Sequence, residues 1–307
     1  MLNLFRLGVF LLIAFSLFVP RQAYSAGVVL PGTTELADRG TWSSPALWWL
    51  EGDFTSPEGE PFLIGKRGYD YNYLTVDNNY NFTASDDLWV GYTGSQHNRL
   101  DIHAGSKVEA KGSVYVGQGN IMYFGRENQL TVSGAGAVLS ADDHIRIGYG
   151  TSWTSSDNTL SLLDGGIAIV DSNKDGVGEL YLGYHWAYGN TWLELRNGAL
   201  FMYGDKRQEF VDKEILTSIK VWDDASNEFK RVAEYDGTTW VTTEYIDLLG
   251  IDYIDSPAVA QDLGFSEDFV GFTVLHDVRP VPVPSAIVLL GAGLGALGVS
   301  RRFRPSK

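Results

Sequence analysis

The sequence predicts an all-β protein whose body is a parallel β-helix, or β-solenoid, of about five coils, with an N-terminal cap and a C-terminal β-rich module. One phrase recurs five times between residues 62 and 204: a strand ending in glycine, a polar loop, then Asn-x-Leu-x-apolar. Its leucines are 26, 30, 30 and 33 residues apart: Leu74, Leu100, Leu130, Leu160 and Leu193. Repeats of this length bury their apolar faces only by stacking, which indicates a solenoid. The 35 glycines and 13% aromatic residues suit short strands joined by tight turns.

The first strand of each repeat alternates inward apolar residues with outward ones. In Leu88-Trp89-Val90, period 2 sends Leu88 and Val90 inward and Trp89 outward. The other copies lie at residues 62–65, 114–117, 145–148 and 180–183, and all their inward positions are apolar. We therefore expect one continuous stacked core. The repeat resembles those of parallel β-helices and of autotransporter passenger domains.

An asparagine begins the second strand of each repeat: Asn72, Asn98, Asn128, Asn158 and, one residue looser, Asn190. Asparagine tolerates left-handed turn conformations, and its amide can hydrogen-bond to the equivalent residue one coil away. The sequence therefore predicts a structural ladder of asparagines along the solenoid.

The N-terminal flank of the array, residues 26–61, lacks the phrase but contains Trp42, Trp48 and Trp49. Because the first coil of a solenoid must be covered, we expect this region to be a cap that closes the core with indole rings. A platform on which sugars stack is the alternative.

The C-terminal flank, residues 205–279, predicts a small β-rich cap or module. We expect strands at 215–222 and 269–275, and a hairpin whose turn is Asp236-Gly237. Ser256 followed by Pro257 predicts the start of one short helix, which ends before Gly264.

Charge limits the partners of this chain. The net charge is −15, and residues 26–300 alone hold 17 basic against 38 acidic residues, a net charge of −21. Such a surface repels phosphate backbones, which excludes nucleic acid and leaves divalent cations or neutral sugars as better partners. The chain has no cysteine, so its stability must come from its core or from metal ions.

Residues 1–25 have the layout of a secretory signal peptide. A short basic start with Arg6 precedes an apolar run at 7–19, and Ala23 and Ser25 are the small residues expected before a cut at Ala26. The run is shorter than the ~20 apolar residues that a membrane-spanning helix needs.

Residues 280–307 form a sorting tail in three parts: a Pro-x-Pro motif, an apolar glycine-rich run at 287–299, and a basic end. The signal residues are Pro282, Pro284, Ala286, Arg301 and Arg302. In this order the three parts resemble the tails of PEP-CTERM proteins, which exosortases sort. Val283 stands where those tails have glutamate, so this tail is more similar to the Val-Pro-Leu-Pro-Ala variant.

The resemblance implies an exosortase-type processing enzyme as a partner and transient membrane contact through the tail. It also implies a location at the cell surface, in the outer envelope or in the extracellular matrix of a Gram-negative bacterium, with a link to exopolysaccharide or biofilm. A permanent C-terminal anchor, held by the arginines on the cytoplasmic side, is the alternative.

The sharpest polar motif begins at Asp171. Its D-x-N-x-D-G pattern places the oxygens of Asp171, Asn173 and Asp175 as in the first half of a calcium loop. The twelfth residue of a calcium loop is a glutamate, but here it is Leu182. Glu179 or a residue of a neighbouring coil would therefore have to complete the ligand shell. Ca²⁺ is therefore a candidate ligand, although no cofactor is required; a solvated turn is the alternative.

Outward aromatic residues predict a surface for sugars. The candidate glycan contacts are Trp89, Tyr115 and Tyr181, and Tyr92, Tyr149 and Tyr184 follow the glycines. Flat rings at the spacing of the coils can stack on sugar faces, or they can stabilise the sheet by cross-strand pairing.

Acidic residues precede the first strand of several repeats: Asp86, Asp87, Asp142, Asp143 and Glu179. In register they would form a column of carboxylates that binds cations or acts as acid and base on a glycan. Exposed, staggered side chains are the plainer interpretation.

No signature of nucleophilic catalysis occurs, neither G-x-S-x-G nor H-E-x-x-H nor a cysteine. We expect an exported cell-surface or extracellular-matrix protein, non-enzymatic, structural or adhesive, and associated with exopolysaccharide or biofilm. A polysaccharide-active enzyme, lyase or hydrolase, is the alternative by analogy with other β-helices, and a glycan-binding module is the third possibility.

Overall fold

The computed structural model describes residues 26–38, 40–41, 43–119, 125–150, 155–183, 191–210 and 213–278. The predicted signal peptide, the sorting tail, Trp42, Tyr184 and Asn190 lie outside these residues. No helix within them is long and apolar enough to cross a membrane.

Short strands dominate the chain. The N-terminal strands are β1 (Ala26–Val28), β2 (Glu35–Leu36), β3 (Ala46–Trp49), β4 (Phe54–Thr55), β5 (Phe62–Ile64), β6 (Asn72–Val76), β7 (Asn81–Ala84), β8 (Leu88–Val90), β9 (Arg99–Ile102) and β10 (Lys107–Ala110). They are followed by β11 (Val114–Gly119), β12 (Gln129–Ser133), β13 (Val138–Ala141), β14 (Ile145–Gly150), β15 (Thr159–Leu163), β16 (Ile167–Val170), β17 (Leu180–Leu182), β18 (Trp192–Arg196) and β19 (Ala199–Tyr203).

The remaining elements form the C-terminal module. They are α1 (Lys213–Leu216), β20 (Ile219–Asp223), β21 (Glu228–Arg231), β22 (Ala233–Tyr235), β23 (Trp240–Thr242), β24 (Leu249–Tyr253), α2 (Pro257–Asp262) and β25 (Phe272–Asp277). Three 3-10 turns lie at Arg207–Phe210, Glu244–Leu248 and Glu267–Phe269.

Three parallel sheets wrap around one core, which confirms the β-solenoid. Sheet 1 contains β2, β5, β8, β11, β14 and β17; sheet 2 runs from β1 and β3 to β18 and β20; sheet 3 runs from β4 to β19. Each coil contributes one strand to sheet 1, then sheet 2, then sheet 3. There are six such coils, close to the five expected. The additional coil is β2–β4, which lies within the region expected to be a cap.

Stacking in register makes the core continuous. The repeat leucines pair with one another along sheet 2 and are fully buried: Leu74, Leu100, Leu130, Leu160 and Leu193. This follows from the sequence because the inward positions of each coil are apolar and of similar size. At the N-terminal end Phe54, Phe62 and Phe82 pack together, with ring centroids 4.8–5.7 Å apart.

The two described tryptophans of the first coil face opposite sides of β3, and Trp48 packs against the core. Trp49 is 38% exposed on β3. Trp48 is half-buried, and its Nε1 donates to Asn72 Oδ1 at 3.3 Å. Because alternate strand residues face opposite sides, Trp48 lies on the same side of β3 as the buried Ala46 and pairs with the inward Leu74, whereas Trp49 points outward.

The asparagine ladder forms as expected. Asn98 Oδ1 accepts hydrogen bonds from Asn72, Asn128 Oδ1 accepts from Asn98, and Asn158 Oδ1 accepts from Asn128. In each case the donors are both the backbone N–H and the side-chain amide, at 3.0–3.3 Å. All four asparagines are fully buried, so the ladder satisfies polar groups that water cannot reach.

Two details of the ladder differ from the sequence prediction. The left-handed conformation belongs to the residue before each asparagine, with φ of 55–60°: Tyr71, His97, Glu127 and Asp157. The position one coil beyond Asn158 is Thr191, since Thr159 pairs with Trp192, so the prediction of Asn190 there is wrong. An insertion in the last repeat shifts the register by one residue.

The C-terminal module closes the solenoid. β20 extends sheet 2 and turns back as β21, whereas β25 and β24 extend sheet 3 in antiparallel fashion. Phe210 and Leu216 are 4% and 5% exposed and cover the end of the core. The strand expected at 215–222 begins only at Ile219, because residues 213–216 form one helical turn. This turn places Leu216 over the open end of the core.

Other predictions for this module are confirmed. Asp236-Gly237 forms the turn between β22 and β23, with a φ of 98° at Gly237. Ser256 caps α2, and its side chain accepts a hydrogen bond from the backbone N–H of Val259. The last strand, β25, begins three residues later than expected because a 3-10 turn occupies Glu267–Phe269.

Candidate functional site

The outer surface of sheet 1 carries a row of aromatic side chains with one arginine among them. Trp89, Tyr115, Arg146 and Tyr181 occupy the same outward position in four successive strands. We call the following set the aromatic face: Trp89, Tyr92, Tyr115, Arg146, Tyr149 and Tyr181. Parallel stacking in register brings these residues together although they are far apart in sequence.

One half of the aromatic face is covered by its own rings. Trp89 and Tyr115 stack with their ring centroids 3.6 Å apart and an interplanar angle of 3°, and Tyr92 packs edge-on against Trp89 at 5.0 Å. Trp89 is only 8% exposed and Tyr115 only 9%. Burial also raises the pKa of the Tyr115 hydroxyl. These two candidate glycan contacts therefore point outward as expected but mainly stabilise the sheet.

The other half of the face is open to solvent. Tyr149 is 37% exposed and Tyr181 is 40% exposed. The Tyr181 hydroxyl donates to Glu179 Oε2, and this hydrogen bond raises the pKa of the tyrosine. Among the expected sugar contacts, Tyr181 thus keeps an accessible ring, and Tyr149 joins it from the neighbouring strand.

Arg146 lies at the centre of the tyrosines. Its Cζ is 5.6, 5.1 and 4.7 Å from the ring centroids of Tyr115, Tyr149 and Tyr181. Its Nε is buried and has no hydrogen-bond partner among the described residues. Sequence reasoning missed this residue, although a signal existed: Arg146 is the only basic residue at the outward middle position of the strand-glycine phrase.

The pairing of Arg146 differs from that of three other arginines. Arg99, Arg196 and Arg207 each contact an aspartate at 2.6–2.7 Å. For Arg146 no ion pair or hydrogen bond is found among the described residues. Its contacts are with tyrosine rings, and these supply the cation–π attraction of a ring face but do not use the N–H donors.

The acidic residues before sheet 1 do not form a continuous column. The corner position is occupied in turn by Asp87, Ser113, His144 and Glu179. Asp87 Oδ1 accepts from Ser113 N at 2.8 Å, and His144 Nδ1 accepts from Glu179 N at 3.1 Å. Each side chain thus caps the backbone of the following coil, so only the two ends of this column are carboxylates.

The environment of Asp87 is nevertheless unusual. Burial raises the pKa of its carboxyl, and the nearby charges of Asp86 and Asp143 act in the same direction. The Ser113 N–H and the charge of Arg146 oppose this shift. Asp142 is held apart from this group, because its Oδ1 accepts a 2.6 Å hydrogen bond from Ser172. Burial therefore makes the Asp87 carboxyl favour its protonated form.

The loop at 171–176 is a compact polar turn. Asp171 is fully buried, and its two carboxylate oxygens accept from the backbone N–H groups of Asp175 and Gly176 at 3.0 and 2.8 Å. Lys174 donates to Asp268 O at 3.5 Å, which ties the loop to the C-terminal module.

The predicted calcium ligands are only partly gathered. Asn173 and Asp175 lie beside Asp171 in the turn, whereas Glu179 bonds to Tyr181 on the aromatic face. In the part of the chain that the structure describes, no group of three or more His, Asp or Glu side chains is placed to hold a metal ion.

No protein-family model, no curated protein and no solved structure matches this chain. The aromatic face, the corner carboxylates and the 171–176 loop are therefore the observations from which its function must be inferred.

Proposed function

We propose that the chain is an exported protein of the cell surface or extracellular matrix, structural or adhesive, and associated with exopolysaccharide or biofilm. The observation that carries this proposal is the division of the solenoid into two parts. Its interior and its asparagine ladder serve only to hold the coils together, whereas sheet 1 presents exposed tyrosine rings on a rigid outer face. A rigid stack with an aromatic surface suits display and adhesion.

The two ends of the sequence support the same proposal. A signal peptide at 1–25 and a tail that resembles PEP-CTERM signals would place the folded body outside the inner membrane, with an exosortase-type enzyme as the processing partner. The experiment is to follow the full-length chain by cell fractionation in a Gram-negative bacterium with an exosortase. Replacing Pro282 and Pro284 by alanine should retain the chain in the membrane fraction. Unchanged surface display would contradict sorting by this tail.

Association with polysaccharide needs its own test. The purified chain is mixed with the exopolysaccharide of the producing bacterium, and co-sedimentation is measured. We expect the protein to sediment with the polymer and to leave it intact. A protein that stays in solution at every polymer concentration would contradict this part of the proposal.

A polysaccharide-active enzyme is the second candidate, because Asp87 has a raised pKa and lies near Arg146. A carboxyl that favours its protonated form is suited to general-acid catalysis on a glycosidic bond. The same incubation therefore also measures released reducing ends and unsaturated products. Release that disappears in Asp87→Asn would establish the enzyme and displace the structural proposal.

Calcium is a proposed ligand of the 171–176 loop, since carboxylate and amide oxygens are the ligands that Ca²⁺ prefers. Calorimetric titration of Ca²⁺ into the chain should give a saturable heat, and Asp175→Asn should weaken it. Asp175 is exposed, so this variant leaves the buried Asp171 and its hydrogen bonds in place. Absence of a saturable heat for the wild-type chain would exclude the site.

A further inference from the structure

We propose that Arg146, Tyr149 and Tyr181 form a binding site for a neutral hexose unit of a polysaccharide. This inference rests on the proposed association with exopolysaccharide and makes it specific. It assigns the contact to one end of the aromatic face and names the class of sugar. It also gives the central role to an arginine and moves the contact away from Trp89 and Tyr115.

The first part of the argument is the position of the rings. Tyr149 and Tyr181 lie on adjacent strands, and both rings lie within about 5 Å of the same guanidinium, at 5.1 and 4.7 Å. They are the two most exposed residues of the aromatic face. Sugar rings present a flat patch of C–H groups, which binds to aromatic rings that are rigid and partly open to solvent.

The second part is the unused hydrogen-bonding capacity of Arg146. A guanidinium has five N–H donors, and no hydrogen bond of Arg146 is found in the described part of the chain; because Nε is buried, the four N–H groups of the two Nη atoms are the donors for a ligand. The three tyrosines hold the planar group in one orientation, so a ligand does not have to order it. Fixed donors beside apolar rings match the hydroxyl groups at the edge of a sugar ring.

The third part is charge, which favours a neutral sugar over an acidic one. Asp143 lies two positions before β14 and Glu179 directly before β17, so two carboxylates adjoin the strands that carry Arg146, Tyr149 and Tyr181. The whole chain has a net charge of −15. A polymer of uronic acids would be repelled by this surface. The hydroxyl groups of a neutral hexose can both accept from Arg146 and donate to a carboxylate.

The test uses affinity electrophoresis of the full chain in gels that contain dextran, galactomannan or alginate. We expect retardation by one or both of the neutral polymers and little by alginate. Arg146→Met and Tyr181→Ala should each raise the apparent dissociation constant roughly tenfold. The matched control is Arg231→Met, because Arg231 also lies over an aromatic ring, 4.5 Å from Trp192, but on sheet 2. This control should bind like the wild type.

The outcomes separate this inference from the broader proposal. If the chain binds the neutral polymers but Arg146→Met and Tyr181→Ala bind equally well, the site is wrong and association with polysaccharide stands. Tighter binding to alginate than to both neutral polymers would overturn the neutral-sugar assignment. Co-sedimentation with the producer's exopolysaccharide that survives in both variants would also place the contact elsewhere. Thermal unfolding of each variant shows whether it is folded, and Tyr149→Ala replaces any variant that is not.

Discussion

Gly91 lies directly against the side chain of Asn128 in the next coil, and a Cβ at this position would overlap the asparagine amide. The same relationship joins Gly65 to Asn98 and Gly117 to Asn158. The glycines also have φ between 75 and 86°, which side chains disfavour. The recurring glycines and the recurring asparagines of the sequence therefore depend on each other, because glycine leaves the space that the ladder asparagine of the next coil fills.

Substitution of Gly91 should reveal this dependence. Gly91→Ala introduces both backbone strain and overlap with Asn128, so we expect the free energy of unfolding to fall by about 3 kcal/mol. Urea unfolding measures the loss. The control is Gly32→Ala, since Gly32 has a similar φ of 88° but open space around its Cβ position. It should lose only about 1 kcal/mol. Equal losses would show that strain alone explains the glycine column.

Removing one amide of the asparagine ladder should lower the free energy of unfolding, because a buried N–H group loses its acceptor. Asn128→Ala leaves the buried backbone N–H of Asn98 without its acceptor, and the Asn98 side-chain amide loses one of its three acceptors. We expect a loss of about 3 kcal/mol in the free energy of unfolding. Asn81→Ala is the control, because Asn81 is exposed and its side-chain amide donates to Asp53. A loss below about 1 kcal/mol in Asn128→Ala would contradict a stabilising ladder.

Completion of the ladder should stabilise the chain. Thr191 occupies the ladder position of the sixth coil and is 1% exposed, and within the described ranges its Oγ1 has no hydrogen-bond partner. Thr191→Asn places an amide oxygen where Asn158 can donate to it, so we expect a gain of about 1 kcal/mol in the free energy of unfolding. Thr191→Val, which only removes the hydroxyl, should change stability little. A destabilised Thr191→Asn would show that the site cannot accept the longer side chain.

The raised pKa of Asp87 predicts a pH-dependent stability. Because burial favours the protonated carboxyl, the folded state binds this proton more tightly than the unfolded state. The stabilisation by this bound proton is complete below the pKa that Asp87 has in the unfolded state. It is lost as the pH rises through the pKa that Asp87 has in the folded state. Asp87→Asn keeps an acceptor for Ser113 N and carries no charge, so we expect it to be more stable than wild type at pH 7. The difference should vanish on acidification below the ordinary aspartate pKa of 3.8. Urea unfolding across this range measures it, and a difference that is independent of pH would contradict this explanation.

Much of the fold could be predicted because a solenoid repeats its local rules. The strand-glycine phrase, the inward apolar positions and the asparagines each recur at a fixed place in the coil, so one repeat explains the others. The first coil, β2–β4, was harder to detect because it pairs through backbone register without the phrase. The strand expected at 215–222 was partly wrong because the open end of the core required the helical turn that places Leu216.

The candidate site was predictable only in part. Alternation predicted that Trp89, Tyr115 and Tyr181 point outward, and they do. Their exposure depends on neighbours from other coils, since Trp89 and Tyr115 cover each other whereas Tyr181 stays open. A column of carboxylates, the alternative to staggered side chains, does not form for the same reason: stacking places Ser113 and His144 between the acids.

The sequence by itself determined the solenoid, the direction in which each repeat residue points, and the ladder that runs from Asn72 to Asn158, because these depend on a period that is visible in one dimension. The tertiary structure decided which outward residues are accessible, and it placed Arg146 among the tyrosines. The physical reason is that burial and cation–π contact arise between residues about 30 positions apart, which become neighbours only when the coils stack at ~4.8 Å. Gly91 and Asn128 show both sides: each is readable in the sequence, and only their contact explains why both are needed.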